Sequence, residues 1–182
     1  MQDSFNVIFI GDIVGRPGRD ALKKVLKGIV RKHSALFVVA NGENSASGFG
    51  ITEKVAKELF SYGIDIITLG NHSFDKKESE IFLDAEPKVL RPLNLSIYAP
   101  GRGFAIIEKE GVKLAIVNLV GKVFMEIYDS PFLVIERYLK DISSSTSNIL
   151  IDFHAEATSE KKAMAYFLDG KVSAVLGTHT HI

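Results

Sequence analysis

Four of the five histidines in this chain, His72, His154, His179 and His181, stand just past short apolar runs. The runs are residues 64–69 before Gly70-Asn71-His72, 149–153 before His154, and 173–176 before Gly177-Thr178-His179-Thr180-His181. Two earlier runs do the same with acids and amides: 7–10 leads to Gly11-Asp12, and 36–40 leads to Asn41-Gly42-Glu43-Asn44. Imidazole suits zinc, iron, nickel and copper, while carboxylate and amide oxygens also suit manganese and magnesium. A mixture of Asp, Glu, Asn and His therefore predicts a site for iron, manganese or zinc rather than calcium, and the spacing suggests more than one ion. Two divalent ions carry four positive charges, of which Asp12, Glu43 and a bridging hydroxide would cancel three. The remaining charge matches one phosphodiester anion. His72 invites a separate role, because it adjoins Asn71 and neighbouring residues rarely bind one ion comfortably. Beside a substrate it could protonate a leaving oxygen, a step worth ~10²–10⁴-fold in rate.

Such residues act together only if the chain brings them to one rim, and the elements between them predict that it does. After the 7–10 strand, Pro17-Gly18-Arg19-Asp20 opens a helix with Leu22, Val25, Leu26, Ile29 and Val30 on one buried face. Strand 36–40 and a Gly/Ser loop follow, the loop reading as flexible surface over 45–50. Thr52 is placed to cap a helix that turns Val55, Ala56, Leu59 and Phe60 inward. Strand 64–69 leads to a helix near 76–84. Alternation of this kind predicts a mainly parallel sheet covered on both faces. Ligands gather beyond the carboxyl ends of such strands.

The middle of the chain changes character. Residues 104–108 and 112–118 around Lys109-Glu110-Gly111 predict a hairpin. Ser130-Pro131 reads as an N-cap and first helical position, with Val134, Ile135, Tyr138 and Leu139 facing in. A polar connection over 143–147, strand 149–153, a helix near 159–168 and strand 172–176 complete the pattern.

Composition narrows the function classes. At 182 residues the chain reads as a single domain, 1–182. Lys plus Arg (22) balances Asp plus Glu (22), so there is no strong nucleic-acid footprint and no pull toward anionic membrane. The absence of cysteine excludes disulfides, thiolate nucleophiles and sulfur-ligated metals. Nothing resembles a signal peptide or a bilayer-spanning stretch, so a soluble cytoplasmic protein is expected. Gly11, Gly15 and Gly18 do not form Gly-x-Gly-x-x-Gly, and no Gly-Lys-Ser/Thr follows a strand. Arg16, Arg19 and Arg102 read as surface charge and His33 as a solvated helix end, while Asn118, closing a strand, could touch the site from behind.

At these residues the chain resembles the calcineurin-like metallophosphoesterase superfamily, and within it the bacterial YmdB-like group. The resemblance runs from Gly11-Asp12-Ile13-Val14-Gly15-Arg16-Pro17-Gly18-Arg19 through Asn41-Gly42-Glu43-Asn44, Gly70-Asn71-His72 and Asp152-Phe153-His154-Ala155-Glu156 to the closing Gly-Thr-His-Thr-His. The wider superfamily has Asp-x-His where this chain has Asp12-Ile13-Val14, and a bridging aspartate where it has Glu43. Both departures are those of the YmdB-like group, with Asn44 in the missing histidine's place. The resemblance implies an α/β/β/α sandwich of two central sheets flanked by helices, and two divalent ions per chain, iron or manganese with zinc as the alternative. It places Asp12, Glu43, Asn44 and His181 on one ion, Glu43, Asn71, His154 and His179 on the other, and His72 as proton donor. The implied activity is hydrolysis of 2′,3′-cyclic nucleotides, small phosphodiester substrates, through a metal-bridging hydroxide. A phosphomonoesterase with the same site, or a non-catalytic scaffold stapled by metal, are the competing expectations, and a homo-oligomer is left open. Family members continue past the final histidine pair, whereas Ile182 follows His181 directly, so the chain is expected to lack the family's C-terminal part.

Overall fold

A computed structural model describes residues 4–125 and 128–181. The expectations resting on residues 1–3 and on Ile182 lie outside that range. The order is β1 (Asn6–Ile10), α1 (Gly15–Lys32), β2 (Ala35–Asn41), α2 (Glu53–Ser61), β3 (Ile66–Thr68), α3 (Ser79–Ala85), β4 (Val89–Leu90), β5 (Phe104–Lys109), β6 (Val112–Val120), α4 (Pro131–Ser145), β7 (Ile149–His154), α5 (Thr158–Phe167) and β8 (Ala174–Thr178). One sheet runs β1-β2-β3-β4 and is wholly parallel. The other runs β5-β6-β7-β8, with only the β5–β6 hairpin antiparallel. This is an α/β sandwich of two sheets flanked by helices.

The apolar runs of β2, β3, β6 and β7 are continuous because these strands are buried on both sides, and alternate residues serve different layers, while β1, β5 and β8 are only partly buried. In β2, Val38 and Ala40 join the core beneath the helices, with Leu26 of α1 and Leu59 of α2. Phe37 and Val39 point the other way, into a layer shared with Leu114 and Ile116 of β6 and Leu150 of β7. The opposite face of β6 and β7, carrying Ala115, Val117, Leu119, Ile149, Ile151 and Phe153, packs under α4 and α5. The first sheet is thus covered on both faces as expected, but by helices on one side only; the second sheet covers the other.

Several local expectations need correction. Val25 (47% exposed) and Ile29 (38%) do not share the buried face of α1. Leu22, Leu26 and Val30, at four-residue steps, make the contact. The stripe is wider than the surface beneath it, since β1 ends the sheet. Helix α1 starts at Gly15, so Pro17 lies in its first turn, where a missing N–H is harmless. Helix α3 starts at Ser79. Ser143, Ser144 and Ser145 end α4 instead of forming a connection, and the hydroxyls of Ser143 and Ser144 donate back to the carbonyls of Lys140 and Asp141. Ser130 precedes α4 without a side-chain capping bond, whereas Thr52 caps α2 by accepting from the Val55 N–H at 3.3 Å. Strand β4, two residues long, is too short to leave a periodic signal. No helix among the described residues is long and apolar enough to cross a membrane.

Candidate metal centre

The carboxyl ends of β1, β2 and β3 continue into loops whose backbones are bonded to one another. The Ile13 N–H donates to Asn41 O at 3.0 Å, Gly15 N–H to Asn44 O at 2.8 Å, and Gly42 N–H to Thr68 O at 2.8 Å. These bonds fix Asp12, Glu43 and Asn71 on one side of a cleft. The opposite side comes from the second sheet, with His154 closing β7 and Thr178 closing β8 just before His179 and His181.

The two sides meet. His154 Nε2 lies 2.8 Å from Glu43 Oε1, both side chains being fully buried, and 3.0 Å from His179 Nδ1. The His179 backbone N–H donates to Asp12 Oδ2 at 3.0 Å. His181 Nε2 stands 3.5 Å from Asp12 Oδ1 and 3.3 Å from Asn44 Nδ2, which also donates to Glu43 Oε1 at 3.1 Å. Glu43, His154 and His179 each bring a ligand atom within 4.8 Å of the others. His179 and His181 occupy φ +96° and +54°, left-handed backbone that non-glycine residues adopt at a cost.

Asn71 and His72 join from the loop after β3. Gly70 packs so closely on Glu43 and His154 that a Cβ there would collide with both side chains. The His72 backbone N–H donates to Glu43 Oε2 at 3.3 Å, while its imidazole Nδ1 faces Asp75 Oδ2 at 2.7 Å. The His72 side chain is 36% exposed, and Phe49 lies beside it, with ring centroids 6.5 Å apart.

Burial opposes the charges of Glu43, Asp152, His154 and His179. It works against the Glu43 carboxylate, yet the hydrogen bond and charge of His154 outweigh it and hold that pKa low. Burial likewise opposes the His154 imidazolium, and Glu43 first, then Asp152 and Asp12, nevertheless raise its pKa. His179 moves the other way, lowered by burial and then by the charge of His154. Burial pushes Asp152 up.

The donors fit divalent ions of the transition series. Asp12 Oδ1 and Asn71 Oδ1 are shielded from solvent and have no hydrogen-bond partner among the described residues. Buried oxygens that accept no hydrogen bond are costly, and a cation would satisfy them. Asp12, Glu43, Asn44, His154, His179 and His181 thus form one contact network, with Asn71 and His72 on its flank.

Several supporting residues escaped the sequence reading. Behind His154 the inter-sheet face turns from apolar to polar: Asn41 follows Phe37 and Val39, Thr68 follows Ile66, and Asp152 and His154 follow Leu150. All four are fully buried. Period-2 spacing from the apolar inter-sheet residues was the available signal. Glu156 Oε2 holds His179 Nε2 at 3.0 Å, and Asp75 was not singled out at all. Asn118 does sit behind the site, accepting from the Leu69 N–H and donating to Asp152 O. Arg19 is not free surface charge. It pairs with Glu58 at 3.1 Å and donates to Ser45 O at 2.5 Å, which with the Ala46 N–H to Gly50 O bond pins the 45–50 loop. Arg16 is surface charge, paired with Asp20, and His33 is an exposed C-cap.

Two sheets meeting over helices, with acid, amide and imidazole groups clustered at their carboxyl ends, define the calcineurin-like metallophosphoesterase fold. The chain belongs to the YmdB-like family, whose model matches residues 8–182. It is 45% identical over 176 residues to the 2′,3′-cyclic-nucleotide 2′-phosphodiesterase of Bacillus subtilis (strain 168), covering 97% of this chain and 67% of that protein. Among solved structures, a hypothetical protein of Thermus thermophilus superimposes with TM-score 0.90 at 43% identity, covering 97% of this chain and 68% of that one. A structure described as a novel phosphatase from Mycoplasma pneumoniae gives TM-score 0.92 at 33% identity, covering 100% and 66%. The chain spans about two thirds of the length of the relatives it matches.

Proposed function

We propose that this chain, as a single domain over 1–182, is a metal-dependent hydrolase of phosphodiesters, with 2′,3′-cyclic nucleotides as its substrate class. The carrying observation is the convergence of Asp12, Glu43, Asn44, His154, His179 and His181 from two sheets on a cleft that leaves Asp12 Oδ1 and Asn71 Oδ1 without a hydrogen bond among the described residues. The name of the Bacillus subtilis relative supports the substrate. Asp12, Glu43, Asn44 and His181 would hold one ion, and Glu43, Asn71, His154 and His179 the other. Iron or manganese suits this mixture of donors, with zinc as the alternative. Bound there, the ions supply Lewis-acid charge for the phosphoryl oxygens and activate water.

The chain's own residues do the rest. Glu43, between both groups of donors, spaces them. His72 stands at the solvent edge with Asp75 orienting its Nδ1, which leaves Nε2 to deliver a proton to the departing ribose oxygen. Exposed Phe49 flanks that position. The setting is the cytoplasm, in keeping with a chain that has no cysteine.

Purified protein assayed on 2′,3′-cyclic AMP against added manganese or iron should show metal-dependent turnover. His72→Ala should lower kcat by ~10²–10⁴-fold with metal content unchanged. A loss below about tenfold removes His72 from the mechanism. Faster turnover of mono- than bis-p-nitrophenyl phosphate would instead favour a phosphomonoesterase.

A further inference from the structure

Beneath the cleft lies a polar chain that the reaction itself does not use. Asp152 is fully buried between the sheets and makes no contact with solvent. Its Oδ2 accepts from the Asn41 amide at 3.0 Å and from the Thr68 hydroxyl at 2.5 Å. Its Oδ1 accepts from the Thr178 hydroxyl at 2.6 Å. The same Thr178 oxygen lies 2.9 Å from His154 Nδ1. A hydroxyl has one proton, so a threonine that donates to Asp152 can only accept from the imidazole. The second amide proton of Asn41 goes to Leu69 O at 3.1 Å, which leaves Asn41 no proton for the 3.5 Å approach to His154 Nδ1.

We infer that Asp152, acting through Thr178, is a positioning residue that keeps a proton on His154 Nδ1 and so reserves Nε2 as the metal-binding nitrogen. This rests on the proposed metal site. Ligating histidines commonly donate their other ring N–H to a fixed acceptor, which orients the ring and raises its basicity. Here the acceptor is a hydroxyl whose own direction is set by a buried carboxylate. Asn41 and Thr68 add the rest of the logic. Both donate to Oδ2, so an asparagine at 152 must place its carbonyl there and turn its amide toward Thr178. The chain of donors then runs backwards. The Thr178 hydroxyl donates to Nδ1, which loses its proton, and the ring keeps only the proton on Nε2 that faces Glu43 Oε1 at 2.8 Å, where an ion should bind.

The test is Asp152→Asn, nearly the same in shape, measured by Mn²⁺ titration of the protein. A second readout is the ring N–H signals of ¹⁵N-histidine-labelled protein, metal-free and with Zn²⁺. The wild type should bind Mn²⁺ and show a His154 Nδ1–H signal in both states. Asp152→Asn should weaken Mn²⁺ binding by ~10–100-fold, the usual penalty for losing such an outer partner, and abolish the metal-free Nδ1–H signal while Nε2–H, facing Glu43, remains. If Asp152→Asn does not fold, Thr178→Ser and Thr178→Val decide. The serine should hold Mn²⁺ as the wild type does, and the valine should lose at least tenfold with the Nδ1–H signal weakened. Asp152→Asn binding within threefold of wild type with its Nδ1–H intact overturns the inference, as does Thr178→Val matching Thr178→Ser. A wild type that binds no Mn²⁺, Fe²⁺ or Zn²⁺ overturns the metal-site proposal itself, a different result.

Discussion

Gly70 offers the sharpest test of how tightly the cleft is built. A Cβ at this position would stand 2.5 Å from His154 Nε2, and closer still to Glu43 Oε2 and His154 Cδ2, where ordinary contact begins at 3.4 Å. In Gly70→Ala the imidazole must therefore retreat by more than 0.9 Å, or the strand end must move by as much. Both obstacles are fully buried, so neither can swing into solvent. Overpacking of this kind costs ~1–3 kcal/mol, and each kcal/mol lowers Tm by ~2–4 °C in a chain of this size. Metal-free Gly70→Ala should thus melt roughly 2–12 °C below wild type. Displacement of about an ångström at a reacting centre costs on the order of 10²-fold, so turnover should fall by that order. Gly28→Ala is the control. Gly28 lies on α1 with nothing within 4 Å of the added carbon, and should gain up to about 1 kcal/mol. Thermal melts and Mn²⁺-dependent 2′,3′-cyclic AMP hydrolysis read both effects. A Gly70→Ala protein that melts with the wild type and turns over equally well would refute the crowding argument.

Asn94 predicts a large loss away from the site. Its buried amide donates to Val120 O at 2.8 Å and Asp129 O at 2.9 Å, and accepts from the Val120 N–H at 2.8 Å. Asn94→Ala strands buried backbone groups at ~1–3 kcal/mol each, so urea unfolding should show at least about 2 kcal/mol lost. Tyr62 predicts a pH effect. Burial first, then its hydrogen bond to Glu58, push its phenol up to about 12. A raised folded pKa means that its stabilisation is complete below the unfolded value of about 10. It disappears as pH climbs through 12. Ultraviolet titration should find one tyrosine ionising about two units late, and Tyr62→Phe should remove it; a normal titration of all tyrosines would contradict the contact.

Much of the arrangement was legible because strands buried on both sides leave an unbroken apolar signature, and their tips switch abruptly to Asp, Glu, Asn and His. Apolar runs located β1, β2, β6, β7 and β8 to within a residue or two at most ends, although β1 and β8 are only partly buried. It could not reveal that one face of the first sheet meets a second sheet, because helix and sheet bury a strand equally well. Nor could it separate Val25 and Ile29 from Leu26, since a helical stripe says which side is apolar but not how wide its partner is. Asp12, Glu43, Asn44, Asn71, His179 and His181 were readable as chemically loaded side chains at loop positions, and His154 as one at a strand end. Asn41, Thr68, Asp152 and Thr178 were not, because a polar residue inside a strand gains meaning only when the partner across the sandwich is known.

The donors are divided between the two sheets, with Asp12, Glu43 and Asn71 following one and His154, His179 and His181 belonging to the other. An ion held between them would act as a rivet across a seam otherwise joined by a greasy layer around Phe37, Ile66 and Ile116 and by the hydrogen bonds of Asn41 and Thr68 to Asp152. Hydrophobic contact is non-directional and tolerates sliding; coordination does not. Reactivity here is thus a gauge of how the halves are registered, and a substitution deep in that layer can silence the cleft without touching it.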